Sequence, residues 1–247
     1  MEKSKLLSGN VLKLLGCLFM LIDHLGMILF PEVFILRAIG RLAYPIFAFM
    51  LAEGCFYTKN RVKHFFLIFG MALIIQVVYF FALDDYSLSI FMAFSISVLL
   101  IYLYDLIHNL TQEVVESEEK NTKKYLLWIL AVFLFLSLIT GTVILDVLTP
   151  YLSPSYGYQG VLIPVVVYIV MKLTNRNTYI SLFVMALAIV ISALMRVEYY
   201  NFFSLIAILF LFMYNGNRGK YNIKYFFYLF YPVHIAIIYF IYLFLKN

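Results

Sequence analysis

The chain has 247 residues, of which 65% are hydrophobic and only 13% are charged, and its mean hydropathy is +0.97. A soluble domain carries roughly 25% charged residues, so this composition excludes a soluble globular protein. The net charge is +5, and the two cysteines lie inside apolar runs. We therefore expect no nucleic-acid partner, no disulfide framework and no metal site.

Apolar runs of membrane-spanning length follow one another along the chain. A helix needs about 20 apolar residues to cross a bilayer, and the sequence predicts nine spans, at about 10–30, 36–57, 64–83, 87–107, 124–146, 159–173, 178–195, 200–214 and 224–245. The sixth and eighth spans are short, and the acidic stretch from Glu113 to Glu119 is predicted to be a solvated loop. We expect an all-α integral membrane protein, a polytopic bundle of about nine transmembrane helices in one domain, 1–247.

The basic residues divide unequally between the two sides of this arrangement. With the N-terminus in the cytoplasm, 14 of the 18 lysines and arginines lie on the cytoplasmic side and 4 on the other. The positive-inside rule requires this distribution. The sequence therefore predicts a multi-pass protein of the plasma membrane, in contact with membrane lipid, with an external C-terminus.

Ionisable residues inside the apolar spans are the first candidates for a site. Asp23 and His24 lie in the first span, and His24 is about 21 Å from its cytoplasmic start. Arg37 and Arg41 enter the second span on one helix face, and His234 lies about 15 Å into the last span. A charged residue at the bilayer centre costs about 2.5–3.5 kcal/mol, so its default interpretation is functional.

This buried cluster has two interpretations. A single buried histidine is more often a core residue than a catalyst, and Asp23 could simply neutralise Arg41, because buried charges must be paired. Two histidines at compatible depths, together with an aspartate and an arginine, favour a site instead. Histidine suits general-base chemistry near neutral pH, and a neighbouring carboxylate can set its tautomer.

A second candidate is the cytoplasmic loop YNGNRGK, which begins at Tyr214. It contains two glycines and two cations, and its candidate ligand-binding residues are Asn215, Gly216, Arg218, Gly219 and Lys220. Glycines let the backbone approach a ligand closely, and arginine can hold a phosphate through two donors. An ordinary positive-inside turn would need only the cations, so both interpretations stay open.

Lys13 connects that loop with the buried cluster. It lies eleven residues before His24, which is three turns plus about 20°, so the two share a helix face about 16 Å apart. A long ligand with phosphates at the cytoplasmic surface could place its far end at His24. Coenzyme A has this shape.

Three sequence blocks also carry a family resemblance. The segment LIDHLGMILFP, followed by LRAIGRLAYPIFAFMLAEGCFYTKNR, resembles the N-terminal signature of the TraX family. YNGNRGKYNIKYFFYLFYPVHIAII resembles its C-terminal signature, and SYGYQGVLIP resembles its central segment. The resemblance implies a membrane acetyltransferase, similar to acyltransferase-3 enzymes and heparan glucosaminide acetyltransferases, that uses cytoplasmic acetyl-CoA. The matching residues are His24 with Asp23, Arg41 of GRLAYP and His234 of FYPVH.

The predicted function is therefore an acetyl-CoA-dependent acyltransferase, acting on an amine more readily than on a hydroxyl. In this prediction, His24 is the general base and is oriented by Asp23, His234 assists proton transfer, and Arg41 stabilises the developing oxyanion. The residues predicted to contact the acceptor are Arg37 and Tyr44. The phosphates of acetyl-CoA are predicted to bind the cations Lys13, Arg218 and Lys220.

The acceptor is a peptide, protein or glycan that the sequence does not identify, and association with a second copy of the chain is left open. The alternative function is a proton-coupled transporter or exporter, because buried histidine and aspartate residues also relay protons. That function predicts an inverted repeat and broken helices, and neither is visible in the sequence. A non-catalytic scaffold would leave the buried ionisable cluster unexplained.

Overall fold

The structure, a computed structural model, describes residues 6–82, 86–116, 122–149, 153, 156–196, 199–221 and 223–246. Its helices, in chain order, are α1 (Gly9–Ile28), α2 (Phe34–Gly40), α3 (Ala43–Tyr57), α4 (Arg61–Ala82), α5 (Ile90–Glu116), α6 (Thr122–Leu148), α7 (Gly157–Leu173), α8 (Thr178–Arg196), a 3-10 helix (Tyr199–Ile206), α9 (Ala207–Phe212) and α10 (Lys224–Lys246).

Each of the nine predicted spans coincides with helix in the described part of the chain. Helices α2 and α3 share the second span, and the 3-10 helix continues into α9 within the eighth. Seven helical segments of the described chain are long and apolar enough to cross a membrane. Two further apolar segments, Gly157–Leu173 and Asn201–Phe212, are shorter. The prediction of a polytopic helical membrane protein is confirmed, and the side on which each terminus lies stays a prediction.

The chain divides into two compact units. The first comprises residues 1–50 and 170–247, and the second comprises residues 51–169. Every residue that the sequence nominates for catalysis, cofactor binding or acceptor binding belongs to the first unit. The assignment of the whole chain to one functional domain stays a prediction.

The second span is interrupted, whereas the sequence predicted one continuous helix over 36–57. Helix α2 ends at Gly40, and a turn at Arg41 and Leu42 precedes α3. Pro45, in the first turn of α3, has no N–H to donate to the carbonyl of Arg41 four residues earlier. The hydroxyl of Ser204 donates to that carbonyl instead, at 3.1 Å. The break therefore follows from the proline, and a distant serine satisfies the carbonyl that it leaves.

The acidic stretch after the fourth span is also not entirely a loop. Helix α5 continues to Glu116, so the prediction of a solvated loop from Glu113 onward is wrong for its first four residues. The ammonium group of Lys124, in the first turn of α6, lies 2.8 Å from the carboxylate of Glu113. This ion pair joins the two helix ends. Residues 117–121 lie outside the described part of the chain.

Three glycines of the first unit allow close helix packing. A Cβ at Gly16 would lie 2.9 Å from the ring of Phe47, and one at Gly26 would lie 2.7 Å from the Cβ of Leu36. A Cβ at Gly40 would overlap Asp23. Any larger residue at these positions would push α1 away from α2 or α3.

Candidate active site

Helices α1 and α10 bring the two predicted histidines into contact. Nε2 of His234 lies 2.9 Å from Nδ1 of His24, although 210 residues separate them along the chain. Both side chains are buried, with His24 7% and His234 5% exposed. The structure therefore brings together two histidines that the helix-rise argument places at compatible depths.

The hydrogen bonds of the pair define which ring nitrogens carry protons. Nδ1 of His24 lies 3.0 Å from the carbonyl oxygen of Met20, and Nδ1 of His234 lies 2.7 Å from that of Phe230. A carbonyl only accepts, so both Nδ1 atoms donate. Nε2 of His234 then holds a lone pair and accepts from Nδ1 of His24. Nε2 of His24 also holds a lone pair, and it makes no hydrogen bond to any residue that the structure describes.

Aromatic rings enclose the histidine pair. The ring of Tyr231 meets both imidazoles edge-on, at centroid distances of 5.9 Å from His24 and 5.5 Å from His234. Phe230 stacks on His234 at 4.7 Å with an interplanar angle of 16°. These contacts restrict the tilt of the imidazoles. An apolar enclosure also strengthens the hydrogen bond between them, because the local dielectric constant is low.

Asp23 binds Arg37, whereas the sequence suggested Arg41 as its partner. Nη1 of Arg37 lies 2.7 Å from Oδ2 of Asp23 and 3.3 Å from its backbone oxygen. The second carboxylate oxygen, Oδ1, is buried and accepts no hydrogen bond from the described residues. Gly40 packs directly on this side chain. The carboxylate therefore ties α1 to α2, and no described hydrogen bond joins it to the imidazole of His24.

Arg41 and Tyr44 lie beside this ion pair in sequence. Arg41 follows the last residue of α2, is half-buried, and interacts electrostatically with both Asp23 and His24. Tyr44 is buried in the first turn of α3. The oxyanion role of Arg41 and the acceptor contact of Tyr44 stay predictions.

The YNGNRGK loop is held against the start of α1 by backbone hydrogen bonds. Four N–H groups donate to carbonyls across this contact: Leu7 to Met213 (3.0 Å), Asn215 to Leu7 (2.9 Å), Gly9 to Asn217 (2.8 Å) and Asn10 to Arg218 (2.9 Å). The side chain of Ser8 caps the helix by accepting from Val11. Because the loop carbonyls occupy the N–H groups of Gly9 and Asn10, these groups are not available to an anion.

The glycines and cations of this loop have different surroundings. Gly219 has a φ of +105°, and a Cβ there would lie 2.9 Å from the hydroxyl of Ser8, so the close approach is to this chain's own α1. The side chains of Arg218 and Lys220 are exposed. Lys13 is half-buried, with its ammonium group 5.8 Å from the ring centre of Phe227. The cations of the loop therefore remain accessible to a phosphate, and its backbone serves the fold.

The sequence interpretation missed an ionic cluster around the buried Asp105 in the second unit. Nη2 of Arg61 lies 2.6 Å from Oδ2 of Asp105, and the hydroxyl of Tyr168 donates to the same oxygen at 2.7 Å. The side chain of Asp105 is only 3% exposed. Its signal was available, because Asp105 is an ionisable residue inside the apolar run LLIYLYDLIHNL.

A tyrosine extends this second cluster. The hydroxyl of Tyr102 lies 2.7 Å from Nδ1 of His64 and hydrogen-bonds the buried Cys55, and the guanidinium of Arg61 lies 5.3 Å from the Tyr102 ring centre. Polar side chains of α3, α4, α5 and α7 thus contact one another within the second unit. Among the described residues, no group of three or more histidine, cysteine, aspartate or glutamate side chains could hold a metal ion.

Comparison with known proteins gives the family. Residues 8–242 match the family model described as TraX protein. The chain belongs to the TraX family. It is also 41% identical over 64 residues to "Uncharacterized protein RP591" of Rickettsia prowazekii (strain Madrid E), a match that covers 26% of this chain and 25% of that protein. No solved structure matches the chain.

The TraX match includes all of the candidate site residues. Helix α1 and almost all of α10 fall within it, and so do the ion pair of Asp23 with Arg37 and the loop at Tyr214. The histidine pair therefore lies within the residues that match the family model. Family membership establishes a membrane protein of the TraX family.

Proposed function

We propose that this TraX-family protein is a membrane-embedded acetyltransferase of the plasma membrane. It would transfer an acetyl group from cytoplasmic acetyl-CoA to an amine, or less readily a hydroxyl, of an acceptor at or across the membrane. The observation that carries the proposal is the buried hydrogen bond between His24 and His234, which leaves Nε2 of His24 with a lone pair. The resemblance of the family to other multi-span acyltransferases supports the same chemistry.

The reaction needs a base, and Nε2 of His24 is suited to that role. Nε2 takes a proton from the acceptor nitrogen, which forms a bond to the carbonyl carbon of the acetyl thioester. The carbon–sulfur bond then breaks, and the CoA sulfur leaves with the electron pair and takes the proton from His24. The imidazolium formed in between is stabilised because its Nδ1 proton faces both the carbonyl of Met20 and Nε2 of His234.

The arginines would supply positive charge beside this base. Arg41 interacts electrostatically with His24, and a cation there would stabilise the negative charge that develops on the thioester oxygen. Asp23 acts through Arg37, because the carboxylate fixes that guanidinium and makes no described hydrogen bond to His24. Asp23 is thus a positioning residue in this proposal.

The phosphates of acetyl-CoA would be held by side chains at the start of α1. The first N–H groups of this helix already donate to loop carbonyls, so the exposed cations Arg218 and Lys220 carry the proposed contact, with Lys13 beside them. Lys13 and His24 lie about 16 Å apart along α1. An extended pantetheine arm would cover that distance and bring the thioester to the histidine pair.

Thermal unfolding in detergent, with and without acetyl-CoA, tests this function directly. A ligand that binds only the native state, at 100 times its dissociation constant, stabilises it by about 2.7 kcal/mol, so the melting temperature should rise. Release of free CoA thiol in the presence of an amine then tests turnover. A proton-coupled transporter would show neither response, and absence of both would remove the acetyltransferase proposal.

A further inference from the structure

One nitrogen of the Arg37 guanidinium, Nη1, is held by hydrogen bonds to Asp23. It donates to both the carboxylate and the backbone oxygen of Asp23. The stem of Arg37 packs on α1, because a Cβ at Gly26 would lie 3.5 Å from Cδ of Arg37. The side chain is therefore held in one position before any ligand arrives, which lowers the entropic cost of binding one.

The rest of this guanidinium is uncommitted. Nε and Nη2 of Arg37 make no hydrogen bond within the described part of the chain, and the side chain is 23% exposed. Asp23, which Arg37 binds, directly precedes His24 in α1, and Arg37 also interacts electrostatically with His24. A positioned and partly exposed set of donors beside the reacting group is suited to bind an anion.

An ion pair that only locks two helices would not need this geometry. An ammonium group is a compact charge with three donors and can pair with a carboxylate such as that of Asp23. Arginine offers five donors in a planar fork, which matches two oxygens of a carboxylate or phosphate at once. At Arg37 one nitrogen serves Asp23 and the others stay available.

We propose that Arg37 binds an oxyanion on the acceptor, so that the acceptor is an amine or hydroxyl compound that carries a carboxylate or phosphate close to its nucleophile. This inference rests on the proposed function, since the nucleophile is the group that His24 deprotonates. It narrows the acceptor from any amine to an anionic one.

Three amines with the same two-carbon spacer test the inference because they differ in the group at the other end. Ethanolamine is uncharged at that end, β-alanine carries a carboxylate, and phosphoethanolamine carries a phosphate. With acetyl-CoA, the wild-type protein should release CoA with a kcat/KM at least about 10-fold higher for one or both anionic amines than for ethanolamine, as expected for a charge-assisted contact. The comparison of β-alanine with phosphoethanolamine distinguishes the two anions. Equal use of all three amines would overturn the inference and leave the acetyltransferase function standing.

Two variants separate an anion site from a helix lock. Arg37→Lys can keep the ion pair with Asp23 but loses the fork, so the preference for the anionic amine should fall by about 10-fold or more. Asp23→Asn removes the ion pair but keeps the guanidinium and its contact with the backbone oxygen of residue 23, so the preference should fall less than in Arg37→Lys. A pure lock predicts that both variants change the preference equally, or not at all, and either result contradicts the inference. Arg176→Lys, in an exposed turn, is the control and should behave as wild type.

A binding measurement separates this inference from the proposed function. If no amine releases CoA, the acetyltransferase proposal fails, and thermal unfolding with β-alanine or phosphoethanolamine alone still tests the site. Stabilisation of wild type that is lost in Arg37→Lys and better retained in Asp23→Asn supports an anion site. No stabilisation by either compound overturns it.

Discussion

His24 and His234 are held by the same local device. Each ring donates from Nδ1 to the carbonyl four residues earlier in its own helix, so each helix fixes its own imidazole. The remaining contact, from Nδ1 of His24 to Nε2 of His234, then needs only the packing of α1 on α10. Two backbone carbonyls and one neighbouring imidazole therefore fix the orientation of the two rings, and with it the position of the proposed base.

His24→Asn tests the base while keeping most of this geometry. The asparagine amide can reach the position of Nδ1 and donate to His234, but it has no atom at the position of Nε2. Turnover should fall by about 100-fold or more, the range lost with a positioned general base. CoA release measures this, and thermal unfolding with acetyl-CoA shows whether the protein still folds and binds.

His108→Ala is the matched control, because His108 lies in the second unit and stacks on Tyr104. It should leave turnover unchanged. His234→Ala should reduce turnover less than His24→Asn does, because it removes a stabilising partner and leaves Nε2 of His24 in place. Wild-type turnover in purified His24→Asn would contradict the catalytic role of His24 and leave it as a buried structural residue.

Arg218→Ala tests the phosphate contact at the start of α1. The exposed guanidinium would lose a charge-assisted contact of about 1.5–3 kcal/mol, so acetyl-CoA should bind about 10- to 150-fold more weakly. Arg218→Lys should recover only part of the loss, because lysine lacks the bidentate fork. Isothermal titration of the purified protein measures the affinities.

Arg176→Ala provides the comparison, since it removes another exposed arginine of the first unit. Its affinity for acetyl-CoA should equal that of wild type. If Arg218→Ala also binds with wild-type affinity, the loop serves only to orient the chain in the membrane and to hold the start of α1.

The candidate site shows what residue patterns can and cannot predict. Helix rise and burial place His24 and His234 at compatible depths, because both depend only on position within an apolar span, but they do not predict the contact between the two rings. The choice of Arg37 over Arg41 as the partner of Asp23 depends on where α2 ends, and no spacing rule contains that information. Asp105 differs from these cases, because the rule for ionisable residues in apolar spans applies to it and would have identified it.

At the element scale, α1 and α2 approach each other through small residues. Gly26 and Gly40 lie on opposite helices, and each meets a side chain of the other helix: Leu36 for Gly26 and Asp23 for Gly40. The ion pair of Asp23 with Arg37 forms within this contact. Close backbone approach and the position of the guanidinium therefore depend on the same two glycines.

Gly40→Ala should lower stability, because the new Cβ would overlap Asp23. Overpacking of this kind costs about 1–3 kcal/mol. Gly70→Ala in α4 is the matched control, since a Cβ there has no atom within 4 Å, and alanine favours a helix over glycine by about 1 kcal/mol. Thermal unfolding in detergent should show a lower melting temperature for Gly40→Ala alone, and equal melting temperatures would disprove the packing argument.

Apolar periodicity predicted where helices exist better than how they end. Within the described residues, each of the nine predicted spans contains a helix, since hydrocarbon leaves the backbone few alternatives. The break before α3 depends on Pro45 and on a serine more than 150 residues away, which single-span reasoning does not include. Near the end of α5, Glu113 forms an ion pair with Lys124 of the next helix, and both side chains are exposed. A contact with another element thus accompanies each of these two departures from the predicted spans.

At the scale of the whole molecule, the contact of Leu7 with the loop at Tyr214 constrains the membrane topology. Both segments must lie on the same side, because Leu7 donates to Met213 at 3.0 Å. Between them, the part of the chain that the structure describes has six long apolar helical segments and two short ones. The number of crossings in between must be even. If all six long segments cross, the short segments cross either together or not at all, and the predicted external C-terminus requires one further crossing by α10.

Reporter fusions test this arrangement. With 14 of 18 basic residues on one side, a reporter after Asn247 should be external and one inserted at Ser117 should be cytoplasmic. The reporter after Asn247 should be an enzyme that is active only outside the cytoplasm. The reporter at Ser117 should be an enzyme that is active only in the cytoplasm. The same location for both reporters would contradict the proposed topology.

The hydrogen bond between His24 and His234 also sets an order of events during synthesis. The two residues are 210 positions apart, and ribosomes add about 5–20 residues per second, so His24 enters the membrane about 10–40 s before its partner exists. Throughout that interval α1 carries a buried imidazole whose Nδ1 has only the carbonyl of Met20. A nascent chain therefore forms the histidine pair only after the last helix has been inserted.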